Sequence, residues 1–138
     1  MIILDTNVLS ALMRHAPDES VVSWLDQQPR TSIWTTSVTV LEVRFGLQIL
    51  ATGRRRTLLT EGFEKLLERM AQRVATFDAA AAIEASDLMS QRHRTGRAVD
   101  LRDTMIAGIA LAQHATLATR NTAHFEDADL PLVNPWTL

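Results

Sequence analysis

Short runs of apolar and β-branched residues alternate with longer amphipathic stretches along the whole chain. The short runs predict strands, and the stretches with apolar residues three or four positions apart predict helices. The predicted strands are Ile2–Leu4 and residues 31–36, 74–77, 115–119 and 132–133. Helices are predicted after Asp5, from Pro17 to Pro29, and over residues 37–50, 58–72, 79–93 and 100–113. This alternation indicates an α/β fold with a mainly parallel sheet, whose sites lie beyond the carboxyl ends of the strands.

Composition narrows the class of protein further. The 138 residues are 46% apolar and contain no repeat or linker, so we expect one domain spanning residues 1–138. Cysteine is absent, which excludes a disulfide framework, a zinc–thiolate site and a thiol nucleophile. Asp5 interrupts the first apolar run and no segment has the length of a membrane span, so we expect a soluble cytoplasmic protein without a membrane partner. The net charge of −2 argues against a broad basic surface for nucleic acid, but it leaves room for an enzyme that contacts RNA transiently.

Asp5 is the first acidic residue in an unexpected place, because it directly follows a strand that should be central. A carboxylate there lowers stability unless something compensates its charge. It is therefore a candidate functional residue. The alternative is that Asp5 caps the helix that follows.

Glu42 is the second such acid. On the predicted helix 37–50 an apolar stripe is formed by Val38, Leu41, Phe45 and Ile49, and helical spacing places Glu42 within it. A charge on a core face needs a metal or an oppositely charged partner. The alternative to a metal is a salt bridge to Arg44 or to another arginine.

Asp103 is the third. It precedes Ile106, Ala107 and Ala110 on one face of the predicted helix 100–113, in the first turn, where the helix dipole also favours an acid. Asp100 is a competing choice one turn earlier, which we interpret as the N-cap. Three acids on three elements suggest a shared Mg²⁺ or Mn²⁺, since these ions prefer oxygen ligands.

The ordered motifs resemble a known family. Asp5-Thr6-Asn7-Val8-Leu9 after an apolar strand, Glu42 in its helix and Asp103-Thr104-Met105-Ile106-Ala107 are similar to a PIN domain. The segment from Thr119 to Phe125, followed by Asn134-Pro135-Trp136, resembles its toxin branch, the VapC-like ribonucleases of bacterial toxin–antitoxin pairs.

The resemblance implies a three-layer α/β/α domain, a homodimer, a VapB-like antitoxin and a Mg²⁺- or Mn²⁺-dependent endoribonuclease acting on RNA. It implies that Asp5, Glu42 and Asp103 are the catalytic metal ligands. Asn121 stands where many members carry a further acid, so it is a candidate catalytic residue that brings no charge. His124 stands where an acid is also common, although a surface role is the simpler interpretation.

Neighbouring polar residues have supporting interpretations. Thr6 and Asn7 are expected to orient the Asp5 carboxylate or a metal-bound water, or else to serve turn and cap chemistry. Arg120 is a candidate phosphate contact, and Arg54-Arg55-Arg56 is expected to form a solvated loop that could steer RNA.

Two other kinds of protein compete with this hypothesis. The first kind comprises phosphoryl-transfer and nucleotide-binding folds. Haloacid-dehalogenase-like enzymes carry a second aspartate two residues after the first, where this chain has Asn7. P-loop proteins need a glycine-rich phosphate-binding loop, which is absent here. The remaining alternative keeps the fold but not the chemistry, as a catalytically inactive PIN scaffold that binds RNA or protein. Asn121 favours that alternative, and the complete set of three acids opposes it.

Overall fold

The protein folds around a five-stranded sheet in which every neighbouring pair of strands is parallel. The structure is a computed structural model that describes residues 1–138. The strand order is β3-β2-β1-β4-β5, which places β1 at the centre. The strands are β1 (Ile2–Leu4), β2 (Ile33–Thr36), β3 (Val74–Ala75), β4 (Thr116–Ala118) and β5 (Leu132–Val133). The helices are α1 (Thr6–Met13), α2 (Glu19–Asp26), α3 (Ser37–Gln48), α4 (Arg54–Arg69), α5 (Ala79–Arg94) and α6 (Leu101–Ala112).

Helices cover both faces of the sheet, as the alternation of side chains along the strands requires. Ile3 and Leu117 point into one core, which α5 and α6 complete. Leu4 and Ala118, the next residues along the same strands, point into a second core under α1, α2 and α4. The structure thus confirms the predicted three-layer α/β/α architecture. No helix is long and apolar enough to cross a membrane.

Several elements are shorter than predicted, and two helices differ from their predictions at the N-terminal end. Helix α4 begins at Arg54, four residues earlier than predicted, so Arg54–Arg56 form its first turn and are not a loop. At the start of α3, Ser37 is a residue type suited to an N-cap. The N-cap is instead Thr36, whose side chain accepts a hydrogen bond from the Thr39 N–H. In both cases the local pattern identified the helix but not the residue at its N-terminal end.

Helices α5 and α6 approach each other closely at Gly108. A Cβ at this position would lie 2.6 Å from the Ala81 carbonyl oxygen and 2.8 Å from the Ala85 Cβ. The absence of a side chain is therefore what allows the two helices to pack so tightly. This contact fixes α6, and with it the acid in its first turn, against α5.

Candidate active site

The three predicted acids follow or flank the carboxyl ends of the central strands. Asp5 directly follows β1, and α3, which bears Glu42, directly follows β2. Thr119 directly follows β4, next to β1 in the sheet. The strand order reverses direction between β1 and β4, and a parallel sheet opens a crevice at such a point. The topology thus places the candidate site where open α/β sheets bind their ligands.

Asp5 is the most buried of the acids, with only 4% of its surface exposed. Its Oδ1 accepts the Thr6 N–H at 2.8 Å, so it also caps α1, and the capping and functional interpretations hold together. Its Oδ2 accepts the Thr119 hydroxyl at 2.8 Å and the Asn7 amide at 3.3 Å. Burial nevertheless raises the pKa of Asp5 to about 6, against the lowering effect of these hydrogen bonds.

The other two acids contribute to the same electrostatic environment. The charges of Asp103 and Glu42 both add to the rise in the pKa of Asp5. The three predicted acids are therefore near enough to one another for the charges of Asp103 and Glu42 to act on Asp5. A divalent cation would relieve both that repulsion and the desolvation of Asp5.

Glu42 lies at the rim of this group, with 18% of its side chain exposed. Its Oε1 accepts the Thr6 hydroxyl at 2.9 Å, and its Oε2 lies 3.6 Å from a guanidinium nitrogen of Arg102. The ion-pair partner is thus Arg102 on α6 and not Arg44. Thr6 accordingly supports Glu42 through its hydroxyl and Asp5 through its backbone.

Three of the four residues in the helical stripe used to single out Glu42 were wrongly assigned to the core, and only Val38 is buried there. Leu41, Phe45 and Ile49 are among the most exposed apolar side chains of the chain. The buried face of α3 carries Val43 and Leu47 instead. Glu42 therefore lies between the exposed apolar face and the core. The apolar stripe that singled it out marks mainly an exposed surface of α3.

Asp103 occupies the first turn of α6, and Asp100 is the N-cap, as predicted. The Asp100 carboxylate accepts the Asp103 N–H at 3.1 Å. The Asp103 Oδ2 lies 3.1 Å from Nδ1 of His124. His124 thus contacts an acid of the site, which the sequence interpretation as a plain surface histidine did not anticipate.

Asn121 is brought to the site by its backbone, while its side chain is exposed. Its N–H donates to the Thr119 hydroxyl at 3.1 Å, the same hydroxyl that donates to Asp5. The neighbouring Arg120 N–H donates to the Asn7 side-chain oxygen at 3.1 Å. The Arg120 guanidinium carbon lies 4.9 Å from the Trp136 ring centroid, a cation–π contact that fixes the arginine beside the site.

Sequence reasoning did not assign a site role to Thr119 or to Arg102. Thr119 is completely buried and holds Asp5 through its hydroxyl. Its signal was available, since Thr119 is the last residue of the strand predicted over residues 115–119, at the carboxyl edge of the sheet. Arg102 had no such signal, because its pairing with Glu42 depends on how α3 and α6 meet in space.

The donor set suits a hard divalent cation. Asp5, Glu42 and Asp103 offer only carboxylate oxygens, and Mg²⁺ binds through one or two carboxylates while keeping several waters. No three acidic or histidine side chains are grouped closely enough to hold an ion without rearrangement. Asp5 and Asp103 would supply carboxylate oxygens to such an ion, with waters completing its coordination.

Comparison with known proteins gives one consistent family. A sequence model of the PIN domain matches residues 2–130. VapC ribonuclease Y4jK of Sinorhizobium fredii is 40% identical over 137 residues, covering 99% of this chain and 98% of that protein. The tRNA(fMet)-specific endonuclease VapC of Shigella flexneri is 30% identical over 123 residues, or 89% of this chain and 88% of that protein.

Solved structures agree with the sequence comparisons. The crystal structure of FitAcB from Neisseria gonorrhoeae superimposes with a TM-score of 0.90 at 36% identity, over 100% of both chains. The central parallel sheet, the carboxylates at its switch point and these similarities lead to one assignment. The chain belongs to the PIN-domain family, in its VapC-like toxin branch.

Proposed function

We propose that this protein is a metal-dependent endoribonuclease and the toxin of a VapBC-type toxin–antitoxin pair. The observation that carries the proposal is Asp5, a buried carboxylate at the switch point whose pKa is raised to about 6 beside two further acids. Perturbed carboxylates of this kind are typical of functional sites. The names of the relatives from Sinorhizobium and Shigella support RNA as the substrate. An RNA substrate places the proposed activity in the cytoplasm.

The proposed metal ligands are Asp5 and Asp103, with Glu42 close by. Mg²⁺ or Mn²⁺ bound there would stabilise the charge that develops on the phosphate and lower the pKa of a bound water. Asp5 is held for this role by Thr119 and Asn7, which fix the direction of its Oδ2 lone pairs. Glu42 is held at the rim by the hydrogen bond from the Thr6 hydroxyl and by its ion pair with Arg102.

Two arginines are proposed to hold the RNA backbone on either side of the acids. Arg102 projects from the start of α6 with its guanidinium near Glu42. Arg120 lies after β4, and stacking on Trp136 limits its side-chain freedom. Guanidinium groups suit bidentate contacts to phosphate. Both would offset the repulsion between the acidic site and a polyanionic substrate.

A separate antitoxin chain is the proposed partner, and a groove beside the acids fits one of its segments. A hollow of about 460 Å³ lies between α1, α3 and α4, and a second of about 590 Å³ adjoins it between the end of α1 and α4, sharing Met13 and Arg55 in its lining. One end includes Glu42, and the other carries cations that include Arg55 and Lys65. An extended segment lying there would cover the entrance to the site and match the basic end with acidic residues of its own.

A homodimer is also proposed, and α3 supplies its surface. Leu41, Phe45 and Ile49 form an exposed apolar ridge at positions four residues apart. Exposed apolar patches on soluble proteins mark interfaces. The family resemblance implies a second copy of the chain, and we assign that copy to this ridge.

The catalytically inactive scaffold is the competing function. The neutral and exposed Asn121 favours it, because a site with one acid fewer binds a cation more weakly. The retention of three acids that interact electrostatically favours an enzyme. The two functions differ in one measurable property, namely cleavage.

The experiment compares cleavage of mixed RNA by antitoxin-free wild type with cleavage by Asp5→Asn and Asp103→Asn in Mg²⁺, Mn²⁺ or EDTA. Asp129→Asn is the matched control, because Asp129 is an exposed acid outside the site. We expect wild type and the control to cut with metal, and the two site variants to be inactive. Folded wild type that cuts no RNA class with either metal would support the inactive scaffold. Full activity in both site variants would contradict the assignment of the acids.

A further inference from the structure

Arg92 on α5 is a buried cation for which the proposed chemistry has no direct use. It is 2% exposed and is among the largest completely buried side chains of the protein. A buried charge is costly unless its partners are complete and well placed. Every guanidinium nitrogen of Arg92 has such a partner, and the partners lie on two different segments.

The first segment is the loop after β4. The Arg92 Nε and Nη2 donate to the two oxygens of Asp127 at 2.8 and 3.0 Å, in a bidentate pair. Nη2 also donates to the His124 carbonyl oxygen at 2.7 Å. Arg97 adds a second cation 3.6 Å from Asp127 and donates to the Ala123 carbonyl oxygen. Hydrogen bonding and charge from Arg92 together lower the pKa of Asp127, so the carboxylate stays ionised.

The second segment is the start of α6. The Arg92 Nη1 donates to the Thr104 hydroxyl at 2.9 Å, and that hydroxyl donates to the Asp100 carbonyl oxygen at 2.7 Å. Thr104 follows Asp103 directly in the chain. The same guanidinium therefore holds the backbone on both sides of the His124–Asp103 contact, which spans 3.1 Å.

We propose that Arg92 is a positioning residue for the candidate active site, joining the Asn121–Asp127 loop to the first turn of α6 so that Asp103 faces Asp5. The planar fork of the guanidinium fixes direction as well as distance, which a flexible amine would not do. The inference rests on the proposed function, since it assigns Asp103 to the metal site. It adds a residue that touches neither metal nor RNA and acts through Asp103.

The geometry separates this role from ordinary stabilisation of the core. An apolar side chain of similar size would fill the same space, but it would leave Thr104, Asp127 and the His124 carbonyl without their shared donor. The loop and α6 would then be joined by packing alone. Metal affinity should fall more than stability explains, since groups that orient metal ligands typically contribute about 10–100-fold to affinity.

The test measures Mn²⁺ affinity by electron paramagnetic resonance, with kcat and KM for RNA, in Arg92→Gln and Asp127→Asn. Asp129→Asn is the control for an exposed acid after the loop. Leu88→Ala is the control for stability, since Leu88 lies on the same buried face of α5 as Arg92, one turn before it, and has no polar group to join the loop to α6. All variants are compared well below their melting temperatures. Asp127→Asn keeps the size of the side chain, so it preserves the test if Arg92→Gln does not fold.

We expect Arg92→Gln and Asp127→Asn to bind Mn²⁺ at least about tenfold more weakly, with a lower kcat and an unchanged KM for RNA. Both controls should bind Mn²⁺ as wild type does. Wild-type Mn²⁺ affinity in Arg92→Gln and Asp127→Asn would overturn the positioning role while leaving the proposed function intact. An equal loss of Mn²⁺ affinity in Leu88→Ala, for an equal drop in melting temperature, would overturn it as well. Wild-type protein that binds no Mn²⁺ would contradict the proposed function, and this inference with it.

Discussion

Replacing Asp5 by asparagine should stabilise the metal-free protein at neutral pH while abolishing cleavage. The pKa of Asp5 is raised from 3.8 to about 6, chiefly by burial. At 1.36 kcal/mol for each pKa unit, an ionised Asp5 costs the fold about 3 kcal/mol relative to the unfolded chain. The proposed function requires this cost, because the ionised form is the one that binds a cation.

The sign of the pH dependence follows from the two pKa values. Below pH 3.8 the carboxyl is protonated in the folded and the unfolded protein, and the cost is absent. Between pH 3.8 and 6 the unfolded chain ionises first, so the free energy of unfolding decreases as pH rises. Above pH 6 the full cost applies. The free energy of unfolding of the metal-free wild type should therefore fall by about 3 kcal/mol as pH rises from 4 to above 6.

We expect Asp5→Asn to raise the free energy of unfolding in EDTA at pH 7.5 by about 1–2 kcal/mol, or about 4–8 °C in melting temperature. The gain is smaller than 3 kcal/mol because the new amide would face the Asn7 amide, which now donates to Oδ2. Urea denaturation at pH 7.5 and pH 4 measures it, with Asp129→Asn as control. A variant equally destabilised at both pH values would contradict the cost assigned to ionised Asp5. A variant that still cleaves RNA would contradict the role of Asp5 in the site.

Three further predictions concern the surroundings of the acids. Arg102→Gln should tighten Mn²⁺ binding by about fivefold, since an exposed ion pair contributes up to about 1 kcal/mol, and should raise the KM for RNA; Mn²⁺ titration and kinetics test both directions. Phe45→Glu should convert the proposed dimer to a monomer in light scattering with the cleavage site intact, because Phe45 is 57% exposed and has no role in the core. Gly108→Ala should lower the free energy of unfolding by about 1–3 kcal/mol in urea, because its Cβ would lie 2.6 Å from the Ala81 carbonyl oxygen.

The sequence was sufficient for the layers of the fold and for singling out three acids whose charges interact in the structure. The spacing of apolar residues differs enough between strands and helices to separate the elements. Asp5 marks the end of β1 through its local sequence alone. The start of α4 was missed because three consecutive arginines have no apolar period, although arginine is a good helix former. Gly53 is what begins that helix, as its N-cap.

The contacts between distant segments were beyond the sequence. An apolar stripe on α3 has the same period whether it faces the core or a second protein, so Phe45 was assigned to the wrong face. The pairing of Arg102 with Glu42 joins residues 60 positions apart, and that of Arg92 with Asp127 joins residues 35 apart. Such pairs depend on how helices pack, which a local pattern does not contain.

The most direct test of the central claim is anomalous diffraction from crystals of the antitoxin-free protein grown with Mn²⁺. We predict an anomalous peak within coordination distance of both Asp5 and Asp103, and its loss in crystals of Asp103→Asn. A peak only at another site, or no peak in crystals of protein that cleaves RNA with Mn²⁺, would contradict it.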